Sequence, residues 1–318
     1  MAFVTLEQSK LNVLDDLQLG VIDEFRKSSW LLDNLVFDAV ASPVGGGGGY
    51  TYAYTRLVKP STAEFRNVNE EYGSDAAEKQ RYTADLKIFG GAFEIDRVIA
   101  GTGGIVDEVT LQMEQKIKAA SALFNQTVIN GDSAEDAKSF DGLDKALAGS
   151  DTEWNASGSV IDLSTAAAIA SNGDAFLLEL HKKMAQLDGA PSAFLCNSDM
   201  KATLEYLAKY QGRFQESKDE FGRYVSYYNG VPIIDVGAVA GSNDPVIANG
   251  ADGTSLYIVR IGKDGFHAIS RGGAPIIETW MPDFSTAGAV KKGEVEMIAA
   301  CALKATKAAG VFRKIKVA

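Results

Sequence analysis

The sequence predicts an α+β protein, and three observations carry that prediction. Val106, Val109, Met113, Ile117, Ala120, Phe124 and Val128 recur every three or four residues ahead of Asn130-Gly131, which reads as one long helix closed by a turn. Tyr50 to Val58 (YTYAYTRLV) instead alternates and is rich in aromatic and branched residues, as a strand should be, and it follows five consecutive glycines. Residues 151–280 mix amphipathic helices with short apolar strands, a second and mixed α/β domain. The chain then closes on two more strand-like stretches, Glu294 to Leu303 and Gly310 to Val317.

Taken in order, Thr5 to Lys27 reads as a helix: Thr5 and Gln8 are spaced as a capping box, and Leu14, Leu17, Val21 and Phe25 form one apolar stripe. Trp30 to Val40 stays apolar but loses the helical period, so residues 1–42 read as an arm that must lay its stripe on another surface. Gly45 to Gly49 lacks the Gly-Lys-Ser/Thr of a phosphate loop and reads as a hinge of unrestricted backbone. Over residues 43–90 a charged stretch, Glu64 to Lys79, separates two extended segments, Tyr50 to Val58 and Gln80 to Phe89. Such a long two-stranded hairpin is marginally stable alone in water and needs a partner surface. Gly90 to Ile99 continues as strand, and the helix over 104–130, about 26 residues, would run ~40 Å as a structural spine.

Asn130 to Leu143 is a polar turn region whose carboxylates Asp132, Glu135, Asp136 and Asp141 do not follow calcium-loop spacing. Further on, Asp174 to Asp188 is a helix with Leu177, Leu180, Met184 and Leu187 on one face. Ala193 to Cys196 is a buried strand, and Ser198 caps a helix through Tyr210. Asn229-Gly230 is a turn, followed by strands at Val231 to Val236, Ser255 to Ile261 and Gly265 to Ile269.

Composition removes most function classes. The chain has 318 residues, room for about two domains, with 46% hydrophobic and 23% charged residues as in a folded protein. A formal net charge of -11 argues against holding nucleic acid by broad phosphate neutralisation, and Trp30, Trp154 and Trp280 are too scattered for a stacking platform. Two cysteines, Cys196 and Cys301, exclude a disulfide scaffold and read as small buried fillers. Of two histidines, His181 reads as a solvated surface residue and His267 as a satisfied core group or a pH-sensitive contact. The nucleophile elbow, Walker A, zinc-protease and C-x-x-C motifs are all missing, and the Arg271-Gly272-Gly273-Ala274-Pro275 turn reads as a tight loop rather than an anion site. The expectation is therefore no catalytic site, no cofactor and no metal. Acidic residues within 1–28 argue against a signal peptide, and Met297 to Leu303 is too short to span a bilayer, so a reducing cytoplasm is expected. Asn125 and Asn155 head N-x-S/T triplets that carry no weight in that compartment.

An arm and a hinged hairpin projecting from a body make sense in a symmetric assembly of copies. The order of parts resembles the major capsid proteins of tailed bacteriophages, which share the Hong Kong 97-type fold. The residues that carry the resemblance are Asn130-Gly131-Asp132 with Phe140-Asp141-Gly142-Leu143, Phe194-Leu195-Cys196-Asn197 leading into a helix, Gly222-Arg223-Tyr224, and Asn229-Gly230-Val231-Pro232-Ile233-Ile234. The resemblance spans nearly the whole chain. It implies an N-terminal arm (1–42), an extended loop overlapping a neighbour (43–90), a peripheral domain (91–150 plus 281–318, with helix 104–130) and an axial α/β domain (151–280). It further implies a non-enzymatic subunit that associates with itself into pentamers and hexamers of an icosahedral shell around double-stranded DNA, assembled in the host bacterial cytoplasm. Scaffolding, portal and decoration proteins would be its partners, with no membrane. Gly45, Gly46, Gly47, Gly48 and Gly49 would be the hinge of the loop. Leu14, Leu17, Val21, Phe25, Tyr50, Tyr52 and Tyr54 would be the contacts between subunits. The chain opens directly on its arm, which implies a separate scaffold or none. Lys59 and Lys79 lie where some members crosslink, but no Asn follows Asn249, so no covalent crosslink is expected. An encapsulin-like compartment is the alternative of the same fold, and an α/β enzyme the alternative of another class.

Overall fold

The helical spacing that ends at Asn130 forms a real helix, Glu108–Asn130, and its start is chemical: the Asp107 carboxylate accepts from the Thr110 amide (3.1 Å) and hydroxyl (2.6 Å). The computed structural model describes residues 30–40, 50–102, 107–212, 214–218, 224–271 and 276–317. The expected helix Thr5 to Lys27, the glycine tract, the residues 103–106 of the expected helix start, and Gly272 to Pro275 lie outside them. Val109, Met113, Ala120, Phe124 and Val128 face inward, where the helix lies across the strands Lys87–Asp96 and Val290–Leu303. The apolar stretch after Trp30 divides into a short helix, Trp30–Asn34, and a strand, Phe37–Val40.

Among the described residues the strands form three sheets. In the five-stranded sheet Val290–Leu303 pairs antiparallel with Lys87–Asp96 along one side and with Ile277–Trp280 and Phe266–Arg271 along the other. Phe37–Val40 joins Phe266–Arg271 in parallel. The eight-stranded sheet runs Glu153–Trp154, Ala309–Lys316, Thr254–Val259, Ala193–Cys196, Val231–Asp235, Tyr224–Tyr228, Phe214–Lys218, with Ile161–Asp162 also on Ala309–Lys316. The third sheet is the hairpin, Thr51–Lys59 with Glu78–Asp85. Strand pairing crosses residue 280: Phe266–Arg271 belongs with Val290–Leu303, and Ala309–Lys316 with Thr254–Val259. Pairing partners are nonlocal, so order along the chain does not reveal them.

Two helices cover the eight-stranded sheet. Phe176, Leu177 and Leu180 of Ala166–Met184, and Met200, Leu204 and Leu207 of Ser198–Tyr210, bury against Phe194, Ile233, Leu256, Ile258, Phe312 and Ile315. Three readings change here. The first helix starts at Ala166, capped by Thr165, eight residues before the expected Asp174, because its alanine-rich first turns carry no apolar stripe. The second helix is capped by Asn197, whose side chain accepts from Met200; Ser198 is already helical. His181 is half-buried rather than solvated, its Nε2 2.7 Å from the Tyr228 hydroxyl, because position 181 lies four after Leu177 on the inward face.

The N-G-D and F-D-G-L motifs form one clasp at the end of the spine helix. The Gly142 amide donates to the Gly131 carbonyl (2.8 Å), and a Cβ on Gly131 would stand 2.2 Å from the Phe140 carbonyl oxygen, so only glycine fits. Asn130 donates through Nδ2 to the Val246 carbonyl (2.7 Å), and Phe140 packs on Phe124 and Phe89. The Lys145 ammonium sits between Asp132 (2.5 Å) and Asp141 (2.9 Å). At Asn229-Gly230 both φ angles are positive (53° and 79°), giving the expected two-residue turn between Tyr224–Tyr228 and Val231–Asp235.

Candidate functional site: the projecting hairpin and its root

Alternation decides which way the hairpin's side chains face. In Thr51–Lys59, Tyr52, Tyr54 and Arg56 are half-buried against the body, while Thr51, Ala53 and Thr55 face solvent. The Tyr52 hydroxyl donates to Asp38 (2.9 Å) and the Tyr54 hydroxyl to the Leu303 carbonyl (3.1 Å). Arg56 donates to the Leu303 (2.6 Å) and Lys304 (2.9 Å) carbonyls and lies 4.4 Å over the Tyr82 ring, which stacks on Tyr54. Burial raises the Tyr54 hydroxyl above its ordinary pKa even though Arg56 pulls it down, so Tyr54 stays a donor. Asp38 is drawn the other way: burial would raise its carboxyl, but the Tyr52 hydroxyl with Lys263 and Lys304 hold it below the usual carboxylate range.

From Leu57 outward the hairpin leaves the body. Leu57 and Val58 are exposed, and the tip presents Phe65 (106% exposed), Val68 (86%) and Tyr72 to solvent. The tip is nonetheless internally tied: Thr62 donates through its amide (2.9 Å) and hydroxyl (2.8 Å) to Asp75, and Arg66 covers one face of Tyr72 (5.2 Å). These three apolar side chains stand singly on the tip rather than as one contiguous patch, each open to whatever lies beside it. Sequence reasoning missed these three residues because they stand singly in a charged stretch; that isolation was the available signal. Lys59 pairs with Asp75 at 3.5 Å.

Of the contact residues expected from the sequence, Tyr52 and Tyr54 face their own body and Tyr50 is exposed; Leu14, Leu17, Val21, Phe25 and Gly45 to Gly49 lie outside the described residues. Two further exposed groups are Tyr206, Tyr210 and Tyr224 beside the eight-stranded sheet, and Trp280, Met281 and Phe284 after an edge strand of the other. A cavity of ≈ 330 Å³ lies between the root and the clasp, and its cations are engaged: Arg56 on carbonyls, Lys87 on the Ala137 carbonyl (2.8 Å), and Lys145 on Asp132 and Asp141. Cys196 and Cys301 are buried; burial pushes the Cys196 thiol up to about 12 and Cys301 upward as well, far from nucleophilic thiolates. Among the described residues no three His, Cys, Asp or Glu side chains are grouped to hold a metal, and no helix is long and apolar enough to cross a membrane.

No protein-family model matches the sequence, and no curated protein matches it either. Solved structures do. The holo-SrpI encapsulin complex from Synechococcus elongatus PCC 7942 superposes with a TM-score of 0.62 at 13% identity, covering 99% of this chain and 97% of that one. The capsid of a native GTA particle gives 0.60 at 13% identity, covering 98% and 97%. The structure of Mycobacterium phage Bobi gives 0.59 at 12% identity, covering 100% and 99%. The described residues share the fold of the encapsulin complex, the GTA capsid and the Mycobacterium phage Bobi structure, the Hong Kong 97-type fold.

Proposed function

We propose that this chain is the major capsid protein of a tailed bacteriophage, a non-enzymatic subunit that assembles into an icosahedral shell enclosing double-stranded DNA. The observation that carries the reading is the hairpin tip, where Phe65, Val68 and Tyr72 stand in water on an ordered loop and call for a neighbouring copy. The acidic balance of the chain fits a shell that contains DNA without gripping it. Residues 1–42 serve as arm, 43–90 as the overlapping loop, and Gly45 to Gly49 as the hinge that lets the loop adopt different angles in pentamers and hexamers. Scaffolding, portal and decoration proteins are its partners, and assembly takes place in the host bacterial cytoplasm. Bulky residues in place of the glycine tract should abolish closed shells; shells of normal size would remove the hinge.

A second reading is an encapsulin-like compartment, favoured by the TM-score of 0.62 to an encapsulin over the full chain. The purified protein, sized by light scattering and viewed in negative stain, tests the shell itself. Closed shells or rings of five and six support it, and an accompanying portal, terminase and protease in the genome select virus over compartment. A subunit that stays discrete with crowding agents and those partners would move the reading to an α/β enzyme.

A further inference from the structure

His267 lies within the strand Phe266–Arg271, 0% exposed, and neither of its ring nitrogens has a hydrogen-bond partner. Its ring meets the edge of Tyr52 from the hairpin, with centroids 5.6 Å apart and planes at 72°. Three charged side chains, Asp38, Lys304 and Lys263, lie near that contact. Asp38 of Phe37–Val40 accepts the Tyr52 hydroxyl; Lys304, following Val290–Leu303, lies 5.1 Å over the Tyr52 ring and 3.9 Å from Asp38; Lys263 reaches Asp38 at 3.5 Å. Asp38 is thus already shared by a hydroxyl and two ammonium groups. Ala302 stands opposite His267 across the strand pair and offers no side-chain acceptor.

We propose that His267 is an acid-sensitive latch on the hairpin: the neutral ring lets Tyr52 close over it, and a proton on the ring releases the root. A buried imidazolium here meets two lysines, with only the Gly265 backbone and an Asp38 already shared with other donors to offset them, so it must gain water or leave. The backbone around His267 is locked in the ladder to Val290–Leu303, whereas the root hangs on the hydrogen bonds of Tyr52, Tyr54 and Arg56. Lifting Tyr52 is therefore the smaller movement. Burial, reinforced by Lys304, pushes the closed-state imidazole below its ordinary value, while the Gly265 backbone and Asp38 work in the opposite direction without reversing it. The sign follows. The latch is fully effective above the ordinary imidazole pKa near 6.5 and weakens as pH falls through that value. Opening takes up one proton, so the open fraction rises about tenfold per pH unit until the closed-state pKa is reached.

The latch belongs to a single subunit, so its failure would leave the shell reading standing, and the reverse. Amide hydrogen exchange of the full chain, read by mass spectrometry from pH 7.5 to 5 and corrected for intrinsic rates, tests it. Peptides covering Thr51–Lys59 and Glu78–Asp85 should lose protection about tenfold per pH unit below ~6.5 while the spine helix does not. The loss should vanish in His267→Leu and His267→Gln. Because either variant can misfold, C2–H exchange of the two imidazoles in the wild-type chain gives a reading without mutation, and His267 should titrate below the ordinary value. Hairpin protection with the same pH course in wild type and folded variants, or a His267 pKa at or above 6.5, overturns the proposal.

Discussion

The hairpin and the eight-stranded sheet are both built from paired strands and meet solvent in opposite ways. Ala193–Cys196 is buried at all four positions, covered by two helices and flanked by Thr254–Val259 and Val231–Asp235. Thr51–Lys59 has one hydrogen-bonded partner strand, shows every second side chain to water, and is exposed at every position beyond Arg56. A ladder of backbone hydrogen bonds is common to both, so the ladder is not what separates them. The sheet is stable through apolar area removed from water on both faces. The hairpin is held at its root by the hydrogen bonds of Tyr52, Tyr54 and Arg56 and by the packing of Tyr52, Tyr54 and Ala84 on the core, and it presents its tip to water.

That contrast can be broken from its strong end first. Phe194→Ala, which empties a fully buried position beside Tyr228, should cost about 3–5 kcal/mol in denaturant unfolding. Gly131→Ala drives a methyl into the Phe140 carbonyl and should cost roughly 1–3 kcal/mol by the same measurement, loosening the clasp that joins spine helix and body. Tyr54→Phe removes one hydroxyl donor at the root and should cost about 1 kcal/mol of local stability. Its effect should appear as faster hydrogen exchange in Glu78–Asp85, with the global midpoint unmoved. Least of all, Phe65→Ser combined with Val68→Ser should change unfolding by no more than about 0.5 kcal/mol, since both side chains are already in water. The same pair should abolish closed shells in the electron microscope. Normal shells from that variant would show that the tip is not a contact.

Much of the scaffold was legible because its signals are local. The stripe from Val109 to Val128 needs only the 3.6-residue period, the alternation of YTYAYTRLV only the period of two, and Asn229-Gly230 only the tolerance of those residues for positive φ. The N-G-D and F-D-G-L motifs stood out in the sequence, but their reason did not: Gly131 and Gly142 are glycines because two backbone segments approach too closely for a Cβ. His181 was misread for want of one step along its helix, and Ser198 because Asn197 beside it is an equally good cap.

The sequence by itself determined the spine helix, the alternating first strand of the hairpin, the Asn229-Gly230 turn and the two closing strands, because each of these rests on residues within a few positions of one another. Only the tertiary structure decided that strands on either side of residue 280 exchange sheets, that Tyr52 and Tyr54 face their own body while Phe65, Val68 and Tyr72 face away, and that His267 is buried beneath the hairpin. Those outcomes depend on which distant segments share a hydrogen-bond ladder and which apolar faces then cover one another, and no local period encodes either.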